Sequence, residues 1–173
     1  MKYIFSLLII LAFFSCRPNN SEENIEVVFF SGLTDSYIYN PRINVFGKIQ
    51  KPDSIYDITS KDYYYLHDIL THSKTKINKE VDSPYIFIKF DSLTYMIGNN
   101  KVVKNRNHSY SLSEKDEYNI KRIIHYYDFI DRTDLYYMGE IKKFGIPANY
   151  KFCPSDPTKP NKLLVKIVLI KKE

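Results

Sequence analysis

The sequence predicts an α+β fold, an antiparallel sheet with two helices on one face, and three observations carry that prediction. Short β-rich runs bounded by turn residues recur from residue 25 to residue 170. Two amphipathic segments of helical period begin at residues 58 and 112. The balance of 44% hydrophobic and 26% charged residues is that of a chain that folds.

The elements follow in order. Ile25 to Phe30 is an apolar run of strand length, closed by Ser31-Gly32, and should open the sheet. Ile58 to Leu70 reads as a helix with Thr59 at its N-cap and Asp62 three residues later, the spacing of a capping box in which each side chain satisfies an unpaired backbone N–H. Leu66, Ile69 and Leu70 form its apolar stripe. Tyr85 to Phe90, Leu93 to Ile97 and Lys101 to Lys104 then read as a three-stranded meander, turned at Asp91-Ser92 and Asn99-Asn100, since Asx residues tolerate tight-turn angles. Leu112 to Ile124 is a second helix, capped by Ser113 and Asp116, with Ile120, Ile123, Ile124 and Tyr127 on its apolar side. Gly139, Gly145 and Pro147 break any long element between Asp131 and Phe152, and Cys153 to Pro160 is a proline-rich loop. Leu163 to Ile170 closes the chain as a strand whose Leu163, Val165, Ile167 and Leu169 share one apolar face, while Lys166 interrupts the other. It is expected to pair with the first strand, because termini often lie together.

The two helices align without gaps at a constant offset of 54 residues, and the likeness extends upstream to Tyr56 and Tyr110. Two readings stand. One is a duplicated β-rich unit, each copy ending in a helix; the other is chance likeness between amphipathic helices in a chain rich in Lys and Tyr.

Residues 1–15 have the layout of a signal peptide: Lys2, then an apolar stretch from Tyr3 to Phe14, then the small Ser15 before Cys16. The apolar run is shorter than the roughly 20 residues of a spanning helix. Phe13-Phe14-Ser15-Cys16 resembles the lipobox of bacterial lipoproteins, with Phe13 and Phe14 where the family usually has Leu and a smaller residue. The relaxed box and the Tyr/Lys/Asn/Ile-rich composition resemble small lipoproteins of Bacteroidota. The resemblance covers the first tenth of the chain and implies lipid attachment at Cys16 and an outer-membrane anchor facing the periplasm or the cell surface. The polar run from Arg17 to Asn24 reads as a flexible tether, giving a lipidated tether over residues 16–24, and the remaining length suits a single α+β domain over residues 25–173. Ser21-Glu22-Glu23 is similar to short acidic signals for surface export. The net charge of +5 suits an acidic partner or an anionic lipid surface, and an exported chain has little occasion to meet nucleic acid.

Catalytic patterns are sparse. Histidine spacings that would hold a metal, a Gly-x-Ser-x-Gly elbow and a Walker loop are all missing from the sequence. No cofactor is expected. His67 and His125 are read as solvated residues on the polar sides of their helices, His72 as near a helix end, and His108 as in a polar strand or turn. Asp128, Asp131 and Asp134 read as an exposed helix end. Cys153, the thiol left once Cys16 is lipidated, reads as a small buried apolar residue with no visible activating group.

A noncatalytic binding protein with a protein or surface-ligand partner is therefore the favoured function class. Lipoprotein immunity proteins that neutralise toxins are similar in size and anchoring. The alternative is a small exported hydrolase whose site is assembled only in three dimensions. At about 100° per residue, Tyr64 lies about 160° from Leu66, and Tyr118 lies at the same angle from Ile120. Both tyrosines should therefore be exposed, with Lys61 and Lys115 beside them as a candidate partner surface. The competing expectation is that residues 131–152 fold over one helix and bury its tyrosine.

Overall fold

A computed structural model of the chain describes residues 24–31, 44–71, 77–90, 92–106, 108–130, 132–151 and 164–172. In chain order the elements are β1 (Asn24–Phe30), α1 (Val45–Lys48), β2 (Ser54–Thr59), α2 (Ser60–Thr71), β3 (Pro84–Phe90), β4 (Leu93–Gly98), β5 (Val102–Lys104) and β6 (Ser109–Ser111). They continue with α3 (Glu114–Ile123), a 3-10 turn (Tyr126–Phe129), α4 (Arg132–Tyr137), α5 (Gly139–Phe144) and β7 (Leu164–Lys172). The fold is α+β, as the hydrophobic pattern predicts.

Alternation along β7 dictates its place. Val165, Ile167 and Leu169 are buried on the helix-covered face, and Lys166 on the other face is buried as well, so the strand belongs inside the sheet. The strand order is β2-β7-β1-β3-β4-β5-β6. β7 pairs antiparallel with β1, placing Val27 opposite Ile167, as expected from the nearness of the termini. The β3-β4-β5 meander also forms, and β6 extends it. One pairing departs from the antiparallel pattern: β2 lies parallel to β7, with Ser54 opposite Ile167. Parallel strands need a long crossover, which the whole chain from α2 to α5 supplies. No local pattern in β2 encodes it.

Both main helices lie on one face. Leu66 and Leu70 of α2 and Ile120, Ile123 and Ile124 of α3 join Val27, Phe29, Ile86, Ile88, Ile97 and Ile167 in the main core. A smaller cluster of Val28, Phe30, Val45 and Phe87 fills the opposite face, where α1 packs. On that face Lys166 is held by Glu26 at 2.9 Å and donates to the Ile49 carbonyl at 3.3 Å. Glu26 also meets Lys89 at 2.7 Å, and the hydrogen bonds from these two lysines hold its carboxyl below the usual range.

The caps form with one difference from the expected box. Thr59 Oγ1 accepts from Asp62 N at 3.1 Å, and Ser113 Oγ accepts from Asp116 N at 3.1 Å. Each aspartate then accepts the cap hydroxyl's own proton, at 3.1 and 2.7 Å. Asp is one methylene shorter than the Glu of a full box, which favours the nearby hydroxyl over the cap amide. The β4–β5 turn uses Asn100 as predicted: its side-chain oxygen accepts from Val102 N and from Asp82 N, and Lys101 takes φ 57°. Gly98 is required there, since a Cβ would sit 2.3 Å from the Asp82 carbonyl oxygen.

The 54-residue likeness has a geometric counterpart at the helices. Tyr65 and Asn119 are equivalent positions, and they meet, Asn119 Nδ2 donating to Tyr65 Oη at 2.7 Å. Tyr110 on β6 reaches the last turn of α2, its hydroxyl 3.0 and 3.1 Å from the Ile69 and Leu70 carbonyl oxygens, where it satisfies acceptors that a helix end leaves unpaired. Its equivalent, Tyr56 on β2, stacks on His125, just past the end of α3. β2 and β6 are the two sheet edges and run in opposite directions, as a local two-fold requires. The relation stops at the next strand, because β2 is parallel to its neighbour and β6 antiparallel.

Candidate functional site

Three groups of side chains come together that carry charge, titratable chemistry or exposed aromatic surface. The first is buried. Glu117 and Lys121 are four residues apart on α3, a spacing that puts them on one side of the helix, and α5 closes over that side. Lys121 Nζ lies 2.9 Å from Glu117 and 2.6 Å from Glu140 of α5, with its side chain only 6% exposed. Tyr85 of β3 donates to Glu117 at 2.8 Å. The ammonium also sits 5.2 and 5.4 Å from the centroids of the Tyr85 and Tyr126 rings, in cation–π range.

The electrostatics of this cluster are settled by two opposing effects. Burial by itself would lower the Lys121 pKa, but Glu117 and Glu140 outweigh it and raise it, so the ammonium stays charged. Burial, followed by the Glu117 carboxylate, pushes Tyr85 well up. Burial likewise raises Tyr126 and Tyr127, against the pull of Lys121. Around neutral pH the lysine is therefore protonated and the phenols are neutral, so these four groups are not poised to pass a proton. The Tyr127 hydroxyl is buried without a hydrogen-bond partner among the described residues.

The second group corrects the solvated reading of His125. This residue ends α3 in the left-handed conformation, φ 54°, and its ring stacks on Tyr56 with centroids 3.8 Å apart and planes 6° from parallel. Its Nδ1 is 3.0 Å from Asp128 Oδ2. Asp128, expected on an exposed helix end, is buried instead, and its other oxygen accepts from Lys151 N at 3.1 Å. The 3-10 turn folds the carboxylate back under the helix end, which a period-three reading of the acids could not foresee. Asp131, the middle acid of that reading, lies outside the described residues. Of the other histidines, His67 packs against Phe90 at 5.3 Å and His108 is exposed.

The third group is the surface. Tyr64 is 59% exposed, as the helical angle predicts, and Lys61 is exposed on the same helix. The cation seated on Tyr64 is Lys171 of β7, whose Nζ is 4.7 Å from the ring centroid and donates to the hydroxyl at 3.3 Å. Tyr118 departs from the prediction. It is half-buried, packed 5.2 Å from Phe144 and 5.8 Å from Tyr127, and its hydroxyl donates to the Gly145 carbonyl at 3.1 Å. Within the segment expected to cover a helix, α5 and Gly145 do fold over α3, so this helix has two packed sides where the angle argument assumed one. Lys115 remains exposed, but without Tyr118 as an exposed ring beside it. The exposed large apolar side chains that sequence reasoning missed are Ile55 on the edge strand β2, 60% exposed, Tyr136 and Tyr137, 51% and 69% exposed at the end of α4, and Ile146, 39% exposed. The last three stand in a segment with no helical period to set a face.

Cys16, Cys153 and His72 lie outside the described residues. Among the described residues no cluster of three His, Cys, Asp or Glu could hold a metal, and no helix is long and apolar enough to cross a membrane. No protein family, curated protein or solved structure matches the chain.

Proposed function

We propose that the protein is a noncatalytic binding protein of the bacterial envelope, anchored in the outer membrane by lipid on Cys16 and facing the periplasm or the cell surface. Its partner is a protein or a surface ligand, and an immunity lipoprotein that neutralises a toxin is one form this takes. The observation that supports it is the pairing of the exposed Tyr64 with a lysine, Lys171 Nζ lying 4.7 Å from its ring centroid. Tyrosine presents a large, stiff contact area at low entropic cost, and an adjacent cation adds charge selectivity. Position-specific photo-crosslinking in cells tests it. A photoreactive residue at 64 should yield a discrete adduct that is lost when Lys171 is replaced by Ser. Absence of an adduct at this position overturns the reading. The anchor is tested separately: Cys16→Ala should abolish lipid labelling and release the protein from membranes.

A second reading, a small exported hydrolase, is favoured by one observation. The Asp128 carboxylate on His125 Nδ1 is the arrangement that orients an imidazole so that Nε2 can act as a general base. If so, purified protein should cleave simple ester or amide substrates, and His125→Gln should lower the rate by two or more orders of magnitude without unfolding it. Wild-type protein with no turnover across such a panel removes this reading.

A further inference from the structure

The α4–α5 corner is built so that its outward charge is almost wholly positive. Two acids belong to these helices, Asp134 and Glu140. Asp134 is half-buried, and Glu140 is drawn inward, 2.6 Å from Lys121, with 17% of its side chain exposed. The buried cluster therefore removes a carboxylate from the surface of α5 and leaves Lys142 and Lys143 pointing outward, both exposed. Glu114 on the adjoining turn of α3 is shared between Lys143 and Lys101, and the neighbouring Lys115 is exposed too. Four ammonium groups thus face one exposed carboxylate.

Within this basic rim stand Tyr136 and Tyr137, with Ile146 following α5. Lys142 lies over the Tyr137 ring and Lys143 over Phe144 at 5.4 Å, so the lysine stems and the rings form mixed apolar and cationic units. Tyrosine is enriched at the depth of lipid headgroups, where its ring meets the acyl boundary and its hydroxyl stays wet, while lysine reaches up to the phosphates. The exposed rings and Ile146 lie on or just after two consecutive short helices that meet at Met138. A bilayer needs no complementary pocket to receive such a corner, whereas a folded protein partner does.

We infer that the α4–α5 corner, through Tyr136, Tyr137, Ile146, Lys142 and Lys143, docks on an anionic lipid surface. The inference rests on the anchoring proposed above for one thing only, that a membrane is within reach. Lipid on Cys16 would hold the protein near the bilayer, and the corner would set which side of the domain lies against it. The opposite end of the molecule would then be the part offered to other partners.

The chain has no tryptophan, so Tyr137→Trp in the full-length protein gives a single fluorescent reporter at an exposed position. It is mixed with vesicles carrying brominated acyl chains, either neutral phosphatidylcholine alone or with roughly one phosphatidylglycerol in three. A blue shift and quenching on the anionic vesicles, weak on the neutral ones, is the expected result. Adding Lys142→Ser and Lys143→Ser should lower the docking equilibrium roughly fivefold per lysine removed. Salt of about 1 M, where the screening length falls to about 3 Å, should have a similar effect. Tyr64→Trp serves as the reference at a different exposed site. No quenching at 137, equal quenching on neutral vesicles, or equal quenching at 64 would each overturn the inference. Failure of the anchor is read elsewhere, in the mass of the N-terminal peptide and in vesicle sedimentation of Cys16→Ala, so the two ideas fail independently.

Discussion

Replacing Lys121 with Met probes the buried cluster directly, because Met keeps most of the side-chain volume and removes only the charge. The ammonium lies 2.9 and 2.6 Å from two carboxylates whose side chains are 11% and 17% exposed. Each contact supplies about 6 kcal/mol of raw attraction at an effective dielectric of about 20. Most of that is offset by the desolvation of three charges, so the pair as such stabilises little. Removing one partner is another matter, since Glu117 and Glu140 would then face each other in a nearly dry site. Leaving a buried charge uncompensated costs about 3–5 kcal/mol, a fifth or more of the roughly 5–15 kcal/mol that holds a domain together. Urea denaturation followed by near-ultraviolet circular dichroism should therefore show a large fall in midpoint at pH 7.

The folded-state pKa of Lys121 is raised, so its contribution is fully present below the unfolded value of about 10.4 and is lost only as the pH climbs through the folded value. The wild-type contribution of this group is thus flat through the acid and neutral range. Removing the two facing charges fixes the cause: adding Glu117→Gln and Glu140→Gln to the variant should recover much of the loss at pH 7. A deficit below about 1 kcal/mol at pH 7, or one that the two Gln substitutions leave unchanged, would refute the argument and reduce the cluster to packing.

Other outcomes follow from the same geometry. Tyr118→Ala should cost about 3 kcal/mol through lost packing on Phe144 and Tyr127, whereas Tyr64→Ala should stay within about 0.5 kcal/mol, and thermal melts of the two variants separate them. Gly98→Ala should destabilise by about 2 kcal/mol or more in chemical denaturation, because the new methyl would fall 2.3 Å from the Asp82 carbonyl oxygen and 2.5 Å from Val81 Cγ1. Glu26 has a lowered folded-state pKa, so the stability it contributes is present above about pH 4.3 and is lost as the pH falls below that. Glu26→Gln should therefore flatten the acid limb of a stability–pH profile, and an unchanged limb would show that other carboxyls govern it.

What the sequence made legible was local. The meander, its Asn100 turn, both helix caps and the inward faces of α2 and α3 are each specified within a dozen residues, by period, turn chemistry or capping. The insertion of β7 between β1 and β2 was half legible: the apolar run of Val165, Ile167 and Leu169 announced burial, but nothing in Ser54 to Thr59 announced a parallel partner. Among the site residues, Tyr64 obeyed the angle from Leu66 because α2 packs on one side. Tyr118 did not, because α5 supplies α3 with a second packed side. The same covering hid the charged cluster, since a Glu and a Lys four residues apart read equally well as a solvated pair, and only contact with Glu140 makes them interior. His125 was misread for a related reason, its partners Tyr56 and Asp128 being set by a strand edge and a 3-10 turn that periodicity does not describe.

The position of β7 also orders events in time. β2 touches the sheet through β7, and β1 has β7 on one side and β3 on the other. A ribosome releases β7 after every other described strand, so until then β2 has no sheet edge to pair with and β1 keeps one flank open. Contacts such as Ser54 with Ile167 close loops of more than a hundred residues, which is slow compared with hairpin formation. The meander from β3 to β6 can assemble early, but the whole sheet waits for the final strand. Completion of the sheet is thus deferred by the topology itself, a delay that would serve the export proposed above.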